Sequence, residues 1–307
     1  KAATAKGEAR AIGECLATSV MMKAFGASPS VAIEALDAMV SGGYGLEGAA
    51  MALRMVLPRV APEVGARVVA GLLHHGANGL DLEACWEAIS AEGALKALPA
   101  PALRRIIVAS AKSAAVHRRK LDAACIAART NLVSDNWQLD DIVKLLVAVP
   151  RAADLVVCGE ECASMLKVAA EALKPQLPDV SSPQLMDVVT AISGVGACCS
   201  LLEAAATEFE GAPQMELLRL TQALIPLAGD SAALQTVLSE WERCFMGDAT
   251  GAARDDLAAD DLARLLALLA TVAKESRSPL LEAIATKLLG QTRFLSAAGA
   301  SSLEAVL

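Results

Sequence analysis

Residues 182–195 read SPQLMDVVTAISGV. Ser and Pro open the stretch as helix N-termini prefer, since Pro gives up no needed N–H in the first turn and its φ already suits a helix. Leu185, Val188, Val189, Ile192 and Val195 then fall on one apolar stripe of a 3.6-residue helix. The same offsets recur as Leu139, Ile142, Val143, Leu146 and Val149 in NWQLDDIVKLLVAV, from Asn136. They recur again as Leu262, Leu265, Leu266, Leu269 and Val272 in ADDLARLLALLATV, from Ala259. Val188, Ile192, Leu265 and Leu269 are therefore expected to be buried between helices.

Four more stretches share the opening: SPSVAIEALDAMV from Ser28, APEVGARVVAGLL from Ala61, APALRRIIVASA from Ala100 and APQMELLRLTQALI from Ala212. The seven starts lie near Pro29, Pro62, Pro101, Trp137, Pro183, Pro213 and Asp260, a mean spacing of 38.5 residues. A second helical stretch follows the later ones: GEECASMLKVAAEALK, CCSLLEAAATEFE, SAALQTVLSEWERCF and SPLLEAIATKLLG. Composition agrees, at 55% hydrophobic and only 3% aromatic residues, with abundant Ala and Leu, the best helix formers. Alternating β-branched runs that would mark strands are missing. The expected fold is all-α, a single α-α superhelix (solenoid) over 1–307, built from about seven helical hairpins of roughly 38 residues.

Pro-opened helix pairs near this period, carrying L-x-x-[LIV]-[LIV]-x-x-[LI], resemble the octotricopeptide and heptatricopeptide repeat families in degenerate form. PQLMDVVTAISGVG and DDLARLLALLATVA match best, and the resemblance spans about residues 28–290. It implies a role on organellar RNA or in an organellar ribosome.

Mean hydropathy is +0.46, which raises the question of a membrane. The longest uncharged run, Val188–Leu202, has 15 residues with two Gly and two Ser, short of the ~20 that a spanning helix needs. No membrane span is expected. The chain opens on Lys1 without an apolar signal-peptide core, which is compatible with loss of an organellar transit peptide.

Charge is uneven. Residues 1–150 hold 16 Lys and Arg against 14 Asp and Glu, whereas 151–307 hold 11 against 21. A near-neutral half thus precedes an acidic one, and such asymmetry points to an oriented interaction. Between Arg104 and Arg129 stand seven cations and one acid, Asp122. The candidate RNA-binding residues are Arg104, Arg105, Lys112, His117, Arg118, Arg119, Lys120 and Arg129. On the helix HRRKLDAACIAARTNL, Arg118 and Arg129 flank a stripe of Leu121, Cys125, Ala128 and Leu132, with Asp122 one turn from Arg118 and placed to pair with it. Arg105 and Lys112 align two turns apart on the preceding helix, so both rows are expected to form one patch. Such a patch suits phosphate contacts; an acidic protein surface and a plain solvated face are the other readings. Aromatic residues for base stacking are absent from it.

Chemistry-bearing motifs are few. GYGLEG (43–48) matches G-x-G-x-x-G, but a helix precedes it where a dinucleotide site needs a strand, so an interhelical turn is expected. Cys158 and Cys162 in CGEEC stand one turn apart, yet zinc wants four ligands and His74, His75 and His117 supply no matching pair. The eight cysteines (15, 85, 125, 158, 162, 198, 199 and 244) read mostly as small buried hydrophobes, with no disulfide framework. His74 and His75 read as a helix C-terminus, where they satisfy carbonyls and the dipole. With neither G-x-S-x-G nor H-E-x-x-H present, no enzyme activity, cofactor or metal is expected.

The preferred reading is a non-enzymatic structural or RNA-associated subunit of an organellar ribonucleoprotein, foremost a mitochondrial ribosome. Its partners would be rRNA or other organellar RNA at the basic patch, and protein subunits elsewhere. The mitochondrial matrix is the expected location, with chloroplast or cytoplasm as alternatives. A HEAT- or armadillo-like protein-binding scaffold without RNA contact is the alternative, supported by a pI near 5.1.

Overall fold

The computed structural model describes residues 28–91, 93–134, 137–152, 155–209, 211–225, 231–246, 257–272 and 278–304. Among them are sixteen α-helices and no strand. The chain divides after Ala172 into two compact units.

The first unit contains α1 (Pro29–Ser41), α2 (Leu46–Val56), α3 (Pro62–His74), α4 (Leu80–Ser90), the short α5 (Ala94–Ala97), α6 (Ala100–Lys112), α7 (Ala114–Val133), α8 (Leu139–Ala152) and nearly all of α9 (Leu155–Leu173). Here α1 packs on α2 and α3, α3 on α4 and α6, and α6 on α7 and α8. A layer of α1, α3, α6 and α8 thus runs beside helices that connect them, α2 packing on α4 and α5 on α7.

The second unit contains α10 (Ser182–Ile192), α11 (Cys199–Glu208), α12 (Gln214–Leu224), α13 (Ala232–Met246), α14 (Ala259–Val272), α15 (Ser278–Gly290) and α16 (Ala297–Glu304). Its helices alternate likewise: α10 packs on α12 and α12 on α14, while α11 packs on α13 and α13 on α15. Trp241 of α13 donates its indole N–H to Thr221 Oγ1 of α12 at 2.9 Å, and Thr221 donates in turn to the Leu217 carbonyl at 2.7 Å. Both polar groups are thereby satisfied inside an apolar seam.

Helix starts follow the local chemistry read from the sequence. Pro stands in the first turn of α1, α3, α6 and α10. At α10, Ser181 and Gln184 form a capping box, which meets donors that the helix itself leaves open. The apolar stripes point inward as expected. Val188, Ile192, Leu265 and Leu269 are all 0% exposed, whereas Leu139 and Leu266 are half-buried. The side chain of Val272 lies outside the described residues.

In GYGLEG, Gly43 (φ 73°) and Gly45 (φ 55°) turn the chain from α1 into α2, an interhelical turn as the sequence indicates. No described helix is long and apolar enough to cross a membrane.

Candidate functional site

The basic stretch of residues 104–129 spans a hairpin, α6 and α7, and the two helices spend their cations differently. On α7 the cations tie neighbouring helices together. Lys120 is 6% exposed and pairs with Glu83 of α4. Arg129 donates to Ser164 Oγ at 2.8 Å and pairs with Glu161 at 3.0 Å, both on α9. Asn131 adds a bond from its amide to the Lys96 carbonyl of α5, 2.9 Å away.

Arg118 is the most heavily engaged. Its Nε lies 2.9 and 3.2 Å from the two Asp122 oxygens, the i,i+4 pair expected from spacing. Its Nη1 donates to the Val157 carbonyl of α9 at 2.6 Å. That carbonyl is open because Gly159, at φ 69° and ψ −167°, interrupts the α9 ladder. CGEEC is therefore a kinked segment, not a regular helical turn.

His117 sits at a second irregularity, φ −112° and ψ 25° near the start of α7, and is 2% exposed. Neither ring nitrogen makes a hydrogen bond of good geometry. Burial and the nearby Lys120 lower its pKa, against the opposing influence of Glu83 and the Ala77 backbone. Of the α7 candidates, Arg119 alone is exposed and without an ion-pair or hydrogen-bond partner among the described residues.

The α6 cations face elsewhere. A cleft of about 650 Å³ opens between α1, α3, α6 and α8, lined in part by Asp37, Arg67, His74, His75, Arg104 and Arg105. Both acids near it are engaged: Asp37 with Arg67 at 3.0 Å, and Asp141 of α8 with Arg104 at 3.4 Å. Arg105 is exposed and has no such partner among the described residues. At the cleft edge, Lys112 Nζ lies 3.4 Å from His74 Nε2. Burial, Lys112 and His75 lower the His74 pKa, in that order.

The single patch expected from the sequence is thus two arrangements. Arg104 and Arg105 line a cleft with the other first-layer helices and Lys112 adjoins it through His74, whereas Arg118, Lys120 and Arg129 are turned to α4 and α9. The reason is the hairpin itself, which places its two helices in different layers. His74 and His75, assigned from the sequence only to a helix end, prove to line the cleft.

Burial and mutual contact set the state of several cysteines. Cys85, Cys125, Cys158, Cys162 and Cys198 are buried, Cys199 is exposed and Cys244 half-buried. Cys15 lies outside the described residues. Burial raises the Cys85 thiol to about 11 and Cys198 to about 12, and Cys125 is held protonated by contact with Cys162 and by burial. Among the described residues no group of three or more His, Cys, Asp or Glu side chains is arranged to hold a metal ion.

No protein-family model matches the chain, and comparison with curated proteins finds no similar sequence. The resemblance to octotricopeptide and heptatricopeptide repeats therefore rests on the Pro-opened helices, their spacing and their apolar stripes.

Proposed function

We propose that each unit is a stack of helical hairpins of the α-solenoid kind, and that the protein is a non-enzymatic, RNA-associated subunit of an organellar ribonucleoprotein. In this reading the first unit holds the hairpins α1/α2, α3/α4, α6/α7 and α8/α9. The second holds α10/α11, α12/α13 and α14/α15. The alternation of first-with-first and second-with-second packing supports it. A mitochondrial ribosome in the matrix is the preferred setting, on the resemblance of the repeats alone.

The observation that carries the RNA reading is the exposure of Arg105, Lys112 and Arg119, with no acid paired to any of them among the described residues. Exposed cations of this kind contact phosphates in a salt-dependent way. The protein-scaffold reading draws on a different observation. Arg104, Arg118, Lys120 and Arg129 are engaged in ion pairs within the fold, which removes much of the expected patch.

The test is binding of the full chain to single-stranded RNA across a salt series. A logarithm of affinity that falls linearly with log salt supports the RNA reading. No binding at any salt would leave the protein scaffold.

A further inference from the structure

We propose that the cleft between α1, α3, α6 and α8 is a phosphate-binding site, with Arg105, Lys112, His74 and His75 as the groups that meet the ligand. The RNA reading above supplies the source, a backbone phosphate; the site chemistry would equally take the phosphate of a small molecule.

Its volume, about 650 Å³, falls within the range of ligand sites. The charged groups around it come from every wall. From α1 comes Asp37, from α3 Arg67, His74 and His75, from α6 Arg104, Arg105 and Lys112, and from α8 Asp141, which holds Arg104. Each acid is matched by one arginine, so Arg105 and Lys112 remain as uncompensated cations, with His74 beside Lys112.

Three of these groups lie close together. The His74 and His75 ring centroids are 5.2 Å apart, and Lys112 Nζ already approaches His74 Nε2 at 3.4 Å. In the proposal a phosphate displaces that contact and accepts charge-assisted bonds from Lys112 and from Arg105, which stand about 10 Å apart, two turns, along α6. Lys112 opposes protonation of His74 in the free protein, and a bound phosphate removes that opposition. The competing explanation is that His74, His75 and Lys112 only offset helix C-termini. It does not account for Arg105, which stands in the middle of α6 without a partner among the described residues.

The chain has three histidines, so the imidazole Cε1–H signals in NMR report the site directly. Buried His117 serves as the internal reference for an intact fold. The full chain is titrated at fixed ionic strength with sodium pyrophosphate and, separately, with oligouridylate, whose binding is also followed by anisotropy.

Both ligands are expected to move the His74 and His75 signals saturably and to raise the pH at which His74 titrates. Arg105→Ala should weaken pyrophosphate binding about 10-fold or more, as expected for a charged hydrogen bond, and His74→Gln should weaken it too. If pyrophosphate moves the signals and oligouridylate binds nowhere, the cleft stands with a small phosphorylated ligand and the RNA reading falls. If oligouridylate binds while both signals stay still, the cleft is overturned and RNA contact lies elsewhere. Signals that respond to neither ligand overturn the proposal as well.

Discussion

Arg118 and Gly159 compete for the same space: a Cβ built on Gly159 would lie 1.6 Å from Arg118 Nη2. The glycine also holds φ 69° and ψ −167°, a region that is essentially closed to other residues. One position thus serves two needs, since the bend frees the Val157 carbonyl and leaves room for the guanidinium that bonds it. Gly159→Ala should destabilise the first unit by at least about 1–3 kcal/mol from the backbone alone. Arg118→Ala relieves the steric clash but not the backbone strain. Urea denaturation of both single variants and the double should therefore show coupling. Strict additivity would mean that the two residues do not interact.

Lys120 and Glu83 give a sharper asymmetry. Lys120 is buried at 6% exposure, and Glu83 is its partner. Glu83→Gln leaves a buried ammonium with a weaker acceptor and should cost about 1–3 kcal/mol. Lys120→Met removes the charge while keeping the apolar stem, and should be much nearer neutral. Equal losses from the two variants, measured by thermal unfolding, would show that the pair is effectively solvated.

His117 links the same region to pH. Its folded-state pKa lies below the ordinary value near 6.5, so the unfolded chain takes up a proton first as pH falls. Its contribution is complete above about pH 6.5 and is lost below it. His117→Leu should flatten the stability profile between pH 7 and 5, leaving the carboxylates and His74 to shape what remains. Parallel profiles for the two proteins would place the pH dependence elsewhere.

Leu269 is 0% exposed on α14, in the second unit. Leu269→Ala should cost about 2–5 kcal/mol. If the units open separately, native-state hydrogen exchange will show protection lost in α12–α15 and kept in α3, α6 and α7. Uniform loss across both units would indicate one cooperative structure.

What the sequence made legible was local. Pro183 with the Leu185–Val195 stripe marks a helix and its buried face because both signals lie within one element. Asp122 was readable as the partner of Arg118 for the same reason, at four residues' separation. The partners of Lys120 and Arg129 lie 37 and 32 residues away, on α4 and α9. No periodicity reveals such pairs, because they depend on how one hairpin seats against the next. The Gly159 kink was hidden inside an otherwise helical pattern, and the cleft role of His74 and His75 depends on the approach of α6.

Pairing across helices divides the cations of 104–129 into two sets. Arg105, Lys112 and Arg119 are exposed and carry no ion pair among the described residues, whereas Arg118 and Arg129 join α7 to α9. Replacing the first three with Ala should leave thermal stability nearly unchanged and, on the proposed RNA reading, strongly weaken RNA binding. The slope of log affinity against log salt should fall by roughly 2, because each single-strand phosphate contact contributes about 0.7. Replacing Arg118 and Arg129 with Ala should do the reverse, lowering stability while the salt slope of the remaining folded protein persists. If instead the second pair controls the salt slope, the α9 seam must open to bind RNA. If neither set changes it, the cations of 104–129 serve the fold and its hydration alone.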